Sequence, residues 1–142
     1  MEQYPITPVP KPRMTQSVKW KRTAGQQRYF DFKDQVRDLG VVVPDCNYHI
    51  VLVLPMAKSW TPKKKVRMDG SKHQQTPDKD NLEKALLDSV HKNDAHIWNG
   101  EVTKIWGREG KIIVAHRSEF DELCAMFPKA FDELIYTGVL IA

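Results

Sequence analysis

Residues 77–88, Pro-Asp-Lys-Asp-Asn-Leu-Glu-Lys-Ala-Leu-Leu-Asp, put the carboxylates Asp78 and Asp80 one residue apart where a loop should enter a helix. Pro77 biases its predecessor away from helix, Asp80 is a good N-cap, and residues 81–91 are helix-forming. Asp80, Lys84 and Asp88 then advance only about 40° per step around the axis and form one stripe, with Leu82, Ala85, Leu86 and Val90 on the face that buries. Both early carboxylates would lie at the positive end of the helix dipole. Clustered anionic oxygens of this kind suit a hard divalent cation such as magnesium, which takes a few carboxylates plus waters and phosphate oxygens. A plainer reading stands beside this one. A single Asp before a helix is most often only a cap, and Lys84 with Asp88 makes an ordinary i,i+4 pair.

The elements that must position these groups fit one domain. At 142 residues, 41% hydrophobic and 28% charged, the chain is long enough for one packed unit over 1–142 and too short for two. A net charge of +4 raises an anionic partner such as nucleic acid only modestly. No stretch reaches the length of a membrane span, and the acidic, apolar-poor start is unlike a signal peptide, so a cytoplasmic location is expected. Cys46 and Cys124 have no CxxC partner and read as reduced thiols; Cys46 with His49 lacks the second ligand pair of a zinc site. His73, His91 and His96 bracket the acidic cluster, each more simply a solvated or core histidine than a catalytic one.

A first strand is expected at 4–9. Residues 11–28 form a basic stretch holding Lys11, Arg13, Lys19, Lys21, Arg22 and Arg28 around Trp20. Such a stretch reads as a solvated loop or, with its aromatic, as a DNA backbone contact. A short helix follows at 29–38, stopped by Gly40, and then the clearest strand at 48–56, whose continuous apolar run implies a central place. Residues 58–76, with Lys63, Lys64 and Lys65, read as a mobile basic loop or loose hairpin leading into Asp78. Strands at 101–106 and 111–116 are joined by a hairpin turn at 107–110. Ser118, with Asp121 in the capping-box position, opens a helix to about Met126, and Pro128 opens another to about Tyr136. The fold class is α+β: helices packed on a mixed sheet.

The ordered pattern Asp-x-Asp-Asn-x-x-Lys-x-x-x-Asp, followed by His96-Ile97-Trp98-Asn99-Gly100-Glu101-Val102 and Lys104-Ile105-Trp106-Gly107, resembles the RusA family of Holliday junction resolvases, small endonucleases common in phages and prophages. The opening Pro10-Lys11-Pro12-Arg13-Met14-Thr15 is similar to the entry segment of the family's phage branch. The resemblance implies a homodimer that resolves four-way junction DNA by paired nicks, with magnesium, or manganese, held by three acids. Carried over by residue, Asp78 and Asp80 match two of those acids, Lys84 the functional lysine and Asp88 a further helix acid. The third acidic position falls on Asn99. Asparagine keeps the shape of aspartate without its charge, so a site of three carboxylates would lose a third of its protein charge. The expectation is a chain that folds and binds DNA but cleaves it poorly or not at all. Asn99 is then either an engineered Asp→Asn change, the favoured explanation because Trp98-Asn99-Gly100 keeps the local pattern, or a natural divergence in which Glu101 or Asp94 supplies the charge. Glu101, two residues on in a strand, would face the same side as Asn99. A branched-DNA-binding protein without chemistry and a nuclease for other branches share these residues.

Overall fold

The computed structural model describes residues 1–13 and 22–141. In chain order the elements are β1 (Glu2–Tyr4), α1 (Ala24–Asp38), β2 (Tyr48–Pro55), α2 (Pro62–Met68), α3 (Lys79–Val90), β3 (Gly100–Gly107), β4 (Lys111–His116), a 3₁₀ turn (Arg117–Glu119), α4 (Phe120–Met126) and α5 (Pro128–Ile141). The four strands form one mixed sheet in the order β1-β4-β2-β3. The expected α+β architecture is therefore present.

β2 is central, as its apolar run requires, pairing parallel with β3 and antiparallel with β4. Alternation sends Ile50 and Leu52 into one core with Leu82 and Leu86 of α3 and Phe32 and Val36 of α1. Val51 and Ile113 go to the opposite face, against Leu123 of α4 and Phe131 of α5. Helices thus cover both faces, with α1 and α3 on the side where the acidic segment lies.

The hairpin expected at 107–110 is not formed. β2 lies between β3 and β4, so the short link crosses over the end of β2 instead of turning back on a neighbour. The crossing is close: a Cβ on Gly107 would stand 2.3 Å from Val53 Cγ1, which leaves room only for glycine. β1 ends at Tyr4, short of the expected 4–9, since Pro5 and Pro8 have no N–H for a ladder. α1 begins five residues before the expected Tyr29 because Thr23 and Gln26 make a reciprocal capping box; Gly40, at φ 63°, ends it as expected.

Residues 58–76 are not a loop throughout. Thr61 caps α2 by accepting from the Lys64 N–H at 3.2 Å, Pro62 occupies its first turn, and Lys129 Nζ donates to the Val66 and Arg67 carbonyls at its far end. Downstream, Lys72 bridges to Ile105, and the His73 N–H donates to the Lys104 carbonyl at 2.9 Å, covering half of the β3 edge. At the C-terminal end His116, not Ser118, caps the turn that opens the helices, with Glu119 as its partner. α5 runs on to Ile141, since Gly138 weakens a helix without breaking it.

Candidate active site

α3 starts two residues earlier than expected, with Asp78 and not Asp80 at its N-cap. The Asp78 carboxylate makes no capping hydrogen bond, although that is what an N-cap aspartate ordinarily supplies. Asp80 Oδ1 accepts from the Asn81 N–H at 2.9 Å. Both side chains are exposed at the positive end of the helix. The approach is held from the sheet. Lys104 of β3 donates to the Gln75 and Pro77 carbonyls at 2.6 and 2.7 Å, and the Thr76–Pro77 bond is cis. Burial lowers the Lys104 pKa, while the charge of Asp78 acts in the opposite direction.

The stripe read from the sequence is real. Lys84 Nζ lies 3.8 Å from Asp88 Oδ2, and Lys11 reaches the same oxygen at 2.5 Å. Burial pushes Asp88 up, but Lys11 first, then Lys84 and Lys33, outweigh it and hold the carboxyl below its usual range. The hydrogen bond to Asp88 raises Lys11 in turn. Lys11 is therefore pinned to α3, whereas the sequence offered it as a phosphate contact.

Asn99 precedes β3 directly, and its Oδ1 accepts from the Asn47 N–H at 3.2 Å. It lines a hollow of about 330 Å³ together with Tyr48, Glu83 and Asp94. Glu83 was not singled out from the sequence. Its carboxylate faces the Tyr48 hydroxyl, and burial pushes its pKa up. Tyr48 is pushed up to about 12, by burial first and then by the Glu83 charge, so it stays a donor. The Tyr48 ring lies flat against Gly100, where a Cβ would meet Cζ at 2.1 Å. Tyr48 thus ties α3 to the start of β3, next to Asn99.

Asp94 shares this hollow, but Glu101 does not. The strand alternation that would align Glu101 with Asn99 begins only at Gly100, and Glu101 lies on the other face of the sheet. There it accepts from Arg117 at 3.3 Å and stands 3.5 Å from the Nδ1 of buried His49. It therefore faces Arg117 and His49 and not the hollow that Asn99 lines.

The family model for endodeoxyribonuclease RusA matches residues 5–116. The chain belongs to the RusA endodeoxyribonuclease family. No curated protein and no solved structure matches it. The RusA match stops at the last residue of β4, so it takes in α1 to α3 and most of the sheet and leaves α4 and α5 outside. Both exposed aspartates, Lys84, Asp88 and Asn99 fall within it.

Among the described residues no three His, Cys, Asp or Glu side chains gather as a closed cation cage. The donors present fit a more open site. Asp78 and Asp80 are hard, exposed oxygen donors, one of them free of its capping duty, and magnesium commonly takes one or two carboxylates with the remainder from water and phosphate. Of the cations assigned to DNA, Lys63, Lys64 and Lys65 lie on α2, with Lys64 Nζ 4.1 Å from the centre of the Trp60 ring. Arg22 stands 4.0 Å over Phe30, and Arg13 is exposed. Lys19 and Lys21 lie outside the described residues. Cys46 and Cys124 are free thiols, and no helix among the described residues is long and apolar enough to cross a membrane.

Proposed function

We propose that this RusA-family chain is a divalent-metal-dependent endonuclease for four-way DNA junctions, and that Asn99 leaves it weak or inert in cleavage as it stands. The supporting observation is the Asp78 carboxylate, set at the N-terminus of a packed helix beside Asp80 yet unused for capping. An N-cap oxygen withheld from the backbone forgoes about 1 kcal/mol of helix stability, a cost that ligand binding would offset. Asp78 and Asp80 would hold magnesium, or manganese, with phosphate oxygens completing its coordination. When bound, such an ion supplies a water of lowered pKa and positive charge at the phosphate.

The chain's own residues do the rest. Lys104 fixes the 75–77 approach and so the position of Asp78. Lys84, one turn into α3 and 3.8 Å from Asp88, would supply positive charge to the phosphate in the transition state. Asn99 offers one amide oxygen, already accepting from Asn47, and no charge. A twofold dimer would put two such sites on opposing strands of a junction, which paired nicks require. Asn99, uncharged where the family's third acid would stand, keeps a second reading: a branched-DNA binder without chemistry.

The test is a synthetic four-way junction incubated with magnesium and either this chain or Asn99→Asp, with linear duplex as control. The expected result is junction binding by both and strong cleavage only by Asn99→Asp. Binding by both with no cleavage by either would leave the binder reading and remove the nuclease one.

A further inference from the structure

On the α3 side of the sheet, next to Pro77 and so to Asp78, lies a pocket of about 420 Å³ that the cleavage chemistry does not use. Its walls are Trp60, Trp106, His73, Pro77 and Val9, with Arg28 at its edge. The aromatic rings form a ladder: His73 to Trp106 is 4.0 Å between centroids and Trp106 to Trp60 is 4.7 Å. Lys64 sits over Trp60, so the aromatic wall has a cation at its outer end. His73 is 5% exposed, and its Nδ1 has no hydrogen-bond partner among the described residues. Burial, with the neighbouring Lys104 charge, lowers the His73 pKa to about 4, so the ring is a neutral polar group at physiological pH.

Aromatic walls, tilted to one another by 41° and 57°, with flanking cations suit a planar heteroaromatic ring carried on an anionic strand. We propose that this pocket receives an unstacked nucleobase of the strand whose phosphate lies at Asp78 and Asp80. The inference rests on the junction-DNA reading above and adds to it a base-binding subsite. Bases at a branch point are the ones most cheaply unstacked, so such a subsite would select branched DNA over continuous duplex.

The experiment measures junction affinity by fluorescence anisotropy in EDTA, using the full chain and a set of junctions each lacking one base near the branch. Stacking of one base on an aromatic wall corresponds to about tenfold in affinity. One abasic position should therefore weaken binding by about tenfold in the unaltered chain, by much less in Trp60→Ala, and by nearly the full amount in Trp60→Phe. Arg28→Ala, at an exposed residue outside the core, should also shrink the penalty and decides the matter if Trp60→Ala does not fold. An equal abasic penalty in every variant, or none at any position, overturns the pocket and leaves the junction reading intact. Failure of the unaltered chain to prefer a junction over linear duplex overturns both.

Discussion

Tyr48→Phe isolates the tie between α3 and the start of β3. The ring stays against Gly100, and only the donor facing Glu83 is lost. Glu83 is half-buried, so water takes over part of the role of the lost hydroxyl, and the cost is expected at the low end for a hydrogen bond to a charged group, about 1 kcal/mol. With a urea slope of about 2 kcal/mol/M this moves the unfolding midpoint down by about 0.5 M. The effect depends on pH in a defined direction. Burial raises the Glu83 pKa, and the Tyr48 hydroxyl partly opposes that by favouring the ionised form. A carboxyl raised in the folded state contributes stability below its unfolded value, and that contribution is lost as pH rises through the folded value. Without the Tyr48 donor Glu83 is raised further, so the variant's deficit is full at about pH 8 and shrinks by about pH 3.5, where Glu83 is protonated in both states. Urea titrations of both proteins at the two pH values measure it. An equal midpoint loss at both values, or none at about pH 8, would show that Tyr48 and Glu83 do not interact through that carboxylate.

Gly100→Ala drives a Cβ into the Tyr48 ring and should cost about 1–3 kcal/mol, seen as a lower thermal midpoint. Lys11→Met leaves Asp88 with the more distant Lys84. At neutral pH it should cost about 1 kcal/mol, or about 3 °C for a chain of this length. Because Asp88 is depressed, that contribution is present above its unfolded pKa and lost as pH falls through the folded one, so calorimetric melts of variant and parent should converge in acid. Replacing Lys63, Lys64 and Lys65 together by alanine should flatten the slope of log affinity for DNA against log salt by about 2–3; an unchanged slope would remove α2 from the interface.

Much of the positioning was legible because it rests on short-range patterns. The apolar run of β2, the helical spacing from Leu82 to Val90 and the Gly40 stop each report a local preference that the tertiary structure keeps. α2 carried a readable Thr61-Pro62 start, but six basic residues between Lys58 and Lys72 hid it. The strand pairing was not legible. A short Gly-containing link between two strands signals a hairpin, and only the insertion of β2, some fifty residues earlier in the chain, makes it a crossing. Separation along the chain also hid Glu83: its partner Tyr48 lies on another element, and no spacing rule connects them. The N-cap moved by two residues, from Asp80 to Asp78, which is within the ordinary spread of a helix boundary.

β2 and β3 run side by side in the same direction, and everything from residue 56 to residue 99, the acidic helix included, is the connection between them. While the chain is being made, Asp78 and Asp80 therefore leave the ribosome before the strand that will hold their approach through Lys104. A nascent chain that ends ahead of Gly100 carries these carboxylates on a helix with no β3 beside it. Closing that long connection is slow compared with local helix formation, so competence to handle DNA arrives with the last stage of sheet assembly.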